Sequence, residues 1–354
     1  MKTLIGKSVV IALLAIAFPV ADWAWNSSTL AQSVKVRTGE PKPAPASWRP
    51  LIGEYGTDKD ILYILEKDGK LCALFERVKL EPLESISRNV FRFGPGTHQG
   101  QRVIFARNAR GRVTQVAIAH QVFQRRQVGP EEGAVQLRVM PVRLVRELLR
   151  EARIASPPDE VGDFRPSELV ELIKLDPTIK LDIRYATTNN LFSTVFYSQP
   201  RAFMQRLAAE ALIRANRKLK PVGYGLMIHD AYRPWYVTKV FWDATPADKK
   251  LFVADPSQGS RHNRGAAVDL TLYDLKTGRP VEMVSTYDET TERASPDYPG
   301  GTSLQRWHRD LLRHAMEEEG LTVYEAEWWH FDYKDWKKYR IGNQPFDQIG
   351  AISH

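Results

Sequence analysis

The sequence predicts an α+β fold in which a small all-β domain stands ahead of a larger domain of mixed helices and strands. Between Trp48 and Arg126, short apolar β runs alternate with tight turns. Beyond Ser156-Pro157-Pro158-Asp159, runs of period 2 are interleaved with runs of helical period. The length of 354 residues also exceeds the roughly 250–300 at which a single core stops growing. The expected divisions are 1–31, 32–48, 49–127, 128–164 and 165–354.

Residues 1–31 have the pattern of a secretory signal peptide. Lys2 and Lys7 precede the apolar run Val9 to Ala21, and small residues follow around Thr29-Leu30-Ala31. The run is shorter than the roughly 20 residues a spanning helix needs. Cleavage near Ala31 is expected, giving a periplasmic or secreted protein with no stable membrane span; an uncleaved anchor is the alternative. Residues 32–48 read as a tether, because Pro41, Pro43 and Pro45 stand among Lys, Ser and Ala.

In 49–127, Ile61 to Leu65 leads through Lys67-Asp68-Gly69-Lys70 into Leu71 to Phe75. Val90 to Phe93 is followed by Gly94-Pro95-Gly96, Val103 to Ala106 by Asn108-Ala109-Arg110-Gly111, and then comes Val113 to Ala119. These are hairpins of a small sandwich or barrel. Cys72, the only cysteine, excludes an internal disulfide and reads as a small core residue. Residues 128–164 form a linker with a helix from Val142 to Ala155. In 165–354 strands are expected at Leu181 to Tyr185, Gly225 to Ile228, Val268 to Tyr273 and Leu321 to Tyr324. Helices are expected at Phe203 to Leu219 and Leu304 to Glu319, the second carrying His308 and His314 on its surface.

The formal charge of +8 favours anionic surroundings such as nucleic acid, acidic lipid or cell-wall polymer, while a solvated basic surface with no dedicated partner explains it too. No zinc knuckle or RNA-binding sheet motif is present, so no nucleic-acid partner is expected.

Two segments carry chemistry. In Ser260-Arg261-His262-Asn263-Arg264-Gly265-Ala266-Ala267-Val268-Asp269, a strand from Ala266 puts Ala267, Asp269 and Thr271 on one face and Val268, Leu270 and Leu272 on the core face. Gly265 lets the chain fold back, bringing His262 toward Asp269. In Glu327-Trp328-Trp329-His330, Glu327 and His330 would face opposite sides of a straight strand, so a bend or a helical turn is required to bring them to one cavity. Imidazole and carboxylate are ordinary zinc donors, and two His with one Asp leave a fourth position open, as catalytic zinc sites do. Glu327 is then the spare carboxylate that accepts a proton. One zinc ion per chain, held by His262, Asp269 and His330, is expected.

The chain resembles the D-alanyl-D-alanine dipeptidase family, a branch of the zinc D-Ala-D-Ala peptidases. Its Ser-x-His-x-x-Gly-x-Ala-x-Asp pattern is met by Ser260, His262, Gly265, Ala267 and Asp269, and its Glu-x-x-His by Glu327 and His330. Asp-x-Tyr-Arg-Pro is met at Asp230, Tyr232, Arg233 and Pro234, and Arg184 to Asn190 matches an entry segment. The stretch Met283 to Asp288 resembles the one that carries a substrate-binding Asp. The resemblance implies a zinc peptidase domain with a central antiparallel sheet flanked by helices. It assigns Arg233 to the developing oxyanion, Tyr185 and Asp288 to the substrate's amino group, and Ser260 to its carboxylate. Typical family members lack the extra N-terminal residues, and the loop from Glu289 to Gly301 departs from their pattern.

Plainer readings stand beside these roles: a salt bridge with Asp230 for Arg233, a solvated loop acid for Asp288, packing for Tyr185, a turn for Ser260. The function implied is hydrolysis of D-Ala-D-Ala or related D-amino-acid dipeptides. The alternatives are a D,D-carboxypeptidase or endopeptidase acting on peptidoglycan stem peptides, and a non-catalytic wall-binding protein.

Overall fold

The computed structural model describes residues 39–128 and 141–349. The expected signal peptide and the first part of the tether lie outside the described residues.

The N-terminal strands are β1 (Gly53–Thr57), β2 (Asp60–Lys67), β3 (Lys70–Phe75), β4 (Lys79–Ser87), β5 (Val90–Phe93), β6 (Arg102–Arg107), β7 (Val113–Ile118) and β8 (Gln121–Gln124). They form one antiparallel meander in chain order, and a bridge between Tyr55 and Arg125 nearly closes it into a barrel. The turn between β2 and β3 has Asp68 at φ 52 and Gly69 at φ 76, the left-handed pair a two-residue hairpin needs. Leu62, Ile64, Leu71, Phe91, Phe105 and Val116 fill the interior. Tyr63, Leu65, Cys72 and Leu74 point the other way and join the core of the second region. That double burial explains why Ile61 to Leu65 is continuously apolar rather than alternating. Cys72 is 4% exposed, and burial raises its thiol pKa.

Helix α1 (Val145–Ile154) follows, and buries Val145, Leu148 and Ala152 on the side packed against α4 (Trp235–Ala244). The segment expected as a linker thus carries a docked helix.

The second region contains β9 (Leu169–Glu171), α2 (Leu172–Leu175), β10 (Lys180–Leu181), β11 (Phe203–Gln205), α3 (Arg206–Leu219), β12 (Tyr224–Asp230), β13 (Ala267–Asp274), α5 (Ser303–Glu317), β14 (Leu321–Tyr324) and β15 (Glu327–Tyr333). Its main sheet runs β10-β12-β13-β15-β14, antiparallel except for the short β10. Helices α3 and α5 pack on this sheet, where Leu226, Ile228, Leu270, Leu272, Leu212 and Met316 are fully buried. α5 starts with a capping box: Thr302 Oγ1 accepts from Gln305 N, and Gln305 Oε1 accepts from Thr302 N. No helix among the described residues is long and apolar enough to cross a membrane.

Three local expectations are corrected. Only Lys180 and Leu181 pair as a strand; Arg184–Ala186 is a 3-10 turn, because Tyr185 O accepts from Phe196 N and Tyr197 N instead of a neighbouring strand. Phe203–Gln205 pairs with β9, so the helix starts only at Arg206. His308 is buried, not on the surface. It lies on the stripe with Leu312, Ala315 and Met316, and its ring nitrogens meet Tyr224 Oη and Glu282 O, both at 3.2 Å.

Candidate active site

His262 opens a 3-10 turn, His262–Arg264, that ends at Gly265 with φ 66. A Cβ on Gly265 would lie 2.6 Å from Leu169 Cδ2, so this tight return to β13 requires glycine. Ser260 Oγ accepts from His262 N (3.2 Å), and the fully buried Asn263 ties the turn to Arg233 O and Thr238 Oγ1, each at 2.8 Å.

Asp269 on β13 faces His330 on β15 directly across the antiparallel pair, and Asp230 faces Asp269 from β12. The device that unites Glu327 with His330 is a large bulge. Between β14 and β15 the register steps from Val323–Phe331 to Tyr324–Glu327, leaving Trp328, Trp329 and His330 as extra residues. Glu327 Oε2 thereby stands 3.9 Å from His330 Nδ1.

The donor atoms form a compact triangle: His262 Nε2 to His330 Nδ1 is 3.2 Å, His330 Nδ1 to Asp269 Oδ1 is 2.9 Å, and His262 Nε2 to Asp269 Oδ1 is 3.4 Å. Zinc–donor bonds of about 2.0–2.1 Å at tetrahedral angles give donor separations of about 3.3–3.4 Å. The remaining ring nitrogens are engaged elsewhere. His262 Nδ1 lies 2.7 Å from Ala231 O, and His330 Nε2 3.1 Å from Asp332 Oδ1. A proton held in each of these contacts would leave the other ring nitrogen able to present a lone pair to a metal at the triangle. Tyr287 donates to Asp269 Oδ2 (3.0 Å) and its ring packs at a tilt against His229 (4.7 Å between centres), which fixes the carboxylate's orientation. The donor set therefore fits a single divalent metal.

A cavity of about 920 Å³ opens over the triangle, and Tyr185, Arg233, Ser260, Asp288 and Glu327 line it with the three donors. Arg233 donates through Nε and Nη2 to Asp230 Oδ2 (3.0 and 2.7 Å), and its guanidinium lies 5.1 Å and 5.0 Å from the ring centres of Tyr185 and Phe241. Thus the salt bridge with Asp230 is present and the side chain still faces the cavity. Asp288 takes a left-handed backbone (φ 60), and its Oδ2 is buried with no hydrogen-bond partner among the described residues.

The titrations reflect this crowding. Burial, with the Asp269 and Glu327 carboxylates, pushes Asp288 well above the usual carboxylate range. Burial and Asp269 also raise Glu327. For Asp269 burial is outweighed by the His262 and His330 imidazoles, which hold it well below its ordinary value. A carboxylate cluster of this kind favours a bound cation.

A family model described as "D-ala-D-ala dipeptidase", peptidase family M15, matches residues 165–348. The chain belongs to this family. It is a metallopeptidase. D-alanyl-D-alanine dipeptidases of Escherichia coli and Enterococcus faecium are each 33% identical to it, over 47% and 44% of this chain and 84% and 87% of their own. The counterpart in Streptomyces coelicolor is 31% identical over 44% of this chain and 87% of its own. A solved LdcB LD-carboxypeptidase structure overlaps 54% of this chain and 78% of its own at 19% identity, with a TM-score of 0.30.

Sequence reasoning left several residues of this M15 peptidase without a role. Asp332 and Tyr287 orient the donors, and Asn263 locks the His262 turn. Asp332 could have been found, since it stands two residues beyond His330 on the same strand face. Tyr287 and Asn263 gave no sequence signal of their own.

Proposed function

We propose that this protein is an exported zinc D,D-dipeptidase that hydrolyses D-alanyl-D-alanine or related D-amino-acid dipeptides. The observation that carries this reading is the donor triangle of His262, Asp269 and His330 with the unligated Glu327 beside it. Its membership in M15 and its dipeptidase relatives support the substrate class. Export rests on the pattern of residues 1–31.

When bound, zinc polarises a carbonyl oxygen and makes water acidic enough to attack near neutral pH. Glu327 takes the proton from the attacking water and returns it to the leaving amine. Arg233, pinned by Asp230 and flanked by Tyr185 and Phe241, donates toward the oxygen that gains charge, a contribution of about 3–4 kcal/mol for a well-placed donor. The orphaned Asp288 Oδ2, beside Tyr185, takes the substrate's ammonium group. Ser260, whose oxygen already accepts from His262 N, has its own proton to donate to the substrate carboxylate. Polar partners for both ends of a dipeptide would leave a longer peptide with unpaired groups.

One observation favours a second reading. A cavity of about 920 Å³ is at the upper end of the roughly 300–1,000 Å³ that suits drug-sized ligands, and a dipeptide would leave much of it empty. A stem-peptide D,D-carboxypeptidase or endopeptidase uses the same chemistry. A purely wall-binding role would need no base at Glu327.

The test is to incubate the protein with D-Ala-D-Ala and with a pentapeptide stem, with and without a chelator, and to weigh the products. Cleavage of the dipeptide, abolished by chelator and restored by zinc, is expected. Efficient trimming of the stem with an intact dipeptide selects the second reading, and no product from either peptide sinks both.

A further inference from the structure

Part of the cavity wall is made by a segment that lies outside the main sheet. Glu289, Thr291, Glu292 and Ser295 line the cavity, yet from 286 to 302 the only regular structure is the 3-10 turn Glu292–Ala294. Backbone without ladder or helix bonds needs an external anchor to keep one conformation. Arg306 and Arg309 of α5 hold carbonyls from Tyr298 to Gly301, and the β domain adds support at three points.

Tyr63 Oη donates to Glu292 Oε2 (3.3 Å), and the Arg77 guanidinium pairs with the same oxygen while donating through Nε to Tyr63 Oη (3.2 Å). Tyr298 Oη donates to Glu54 Oε1 (2.9 Å), a carboxylate only 2% exposed and held on its other side by Arg126 (3.0 Å); the Tyr63 and Tyr298 rings meet edge-on at 6.0 Å. At the far end, Glu66 N donates to Gly301 O (3.1 Å), Ser303 N to Glu66 Oε2 (2.7 Å), and Arg306 Nη2 to Glu66 O (2.7 Å). Glu292 is where these features coincide, bonded to the β domain and lining the cavity.

We propose that the β domain is a positioning element of the peptidase: through Tyr63, Arg77, Glu54 and Glu66 it fixes the 289–301 wall and so sets how substrate is bound. This rests on reading the cavity as the substrate site. The family match, 165–348, contains the wall but none of these four supports.

The test uses the full, zinc-supplied chain with Tyr63→Phe and Arg77→Ala combined. These changes keep the ring in the core and alter a half-exposed side chain, away from the donor triangle. Amide hydrogen exchange across 289–301 is expected to rise about tenfold with β13 unchanged. KM for the cleaved peptide is expected to rise about fivefold while kcat stays within about twofold, with Arg77→Lys recovering part of the loss. Unchanged exchange in the wall overturns the proposal, and so does a loosened wall with KM unaltered. Should the wild-type protein cleave neither peptide, the dipeptidase reading fails on its own, and the exchange measurement alone decides whether the β domain holds the wall.

Discussion

The two sheets of this protein bury their inner faces in different ways. The β domain curls until β1 meets β8 around an apolar interior that includes Leu62, Ile64, Phe91, Phe105 and Val116, and its buried carboxylates Glu54 and Glu81 are paired with Arg126 and His98. The sheet of the second region stays open, with Tyr287 lying against Asp269 on the face that bears the site. That face places Asp230, Asp269 and His330 side by side on three strands, each 7% exposed or less. The interior of the first is sustained mainly by apolar area. The second depends on partners for Asp230, Asp269 and His330, because an unpaired buried charge costs several kcal/mol. Substitutions should therefore cost stability in the barrel interior and function on the site face of the open sheet.

The strongest break of this contrast is Glu327→Gln. It keeps shape and removes the base, so kcat is expected to fall by about 10²–10⁴ with the melting temperature and zinc content preserved. An equal loss of stability would mean that Glu327 is a structural partner. In the barrel the opposite pattern is expected. Phe105→Ala removes a ring with 2% exposure and should cost about 3–5 kcal/mol in denaturant unfolding.

Asn216 sharpens the comparison from within the second region. It is fully buried on α3, donates to Asp176 Oδ2 and Thr178 Oγ1 (both 3.0 Å), and accepts from Leu226 N on β12 (3.0 Å). Asn216→Ala strands these groups and should cost about 1–3 kcal/mol with kcat unchanged. The smallest effect concerns pH. Arg201 binds Glu171 through two hydrogen bonds (2.8 and 2.7 Å) and holds its carboxyl below the ordinary 4.5. A lowered folded-state pKa means that the stabilisation is complete above pH 4.5 and disappears as pH falls through the folded value. The stability gap between wild type and Glu171→Gln should accordingly be constant above pH 4.5 and shrink below it, as read by denaturant midpoints.

The parts legible in the sequence were those fixed by local pattern. The alternation of Val268, Leu270 and Leu272 against Asp269 and Thr271 gave both the strand and the direction of the carboxylate. The Asp68-Gly69 turn gave the first hairpin. What local pattern could not give was anything set by distant contacts. Glu327 and His330 meet through a register step that depends on β14, so the bend could be required but not described. His308 was expected on the surface because a His among Arg and Asp looks solvated; the burial comes from Tyr224 and the 282 carbonyl. The second buried face of Ile61 to Leu65 likewise makes sense only once Tyr63 and Leu65 are seen packing on the second region.

The measurement that bears most directly on the metal centre is zinc content per chain, by elemental analysis of the wild-type protein and of His262→Ala and His330→Ala after the same dialysis. One zinc per chain in the wild type and loss of most of it in both variants is expected. Full zinc retention in either variant, or a wild-type protein that binds none when zinc is supplied, would contradict a site built from these three side chains.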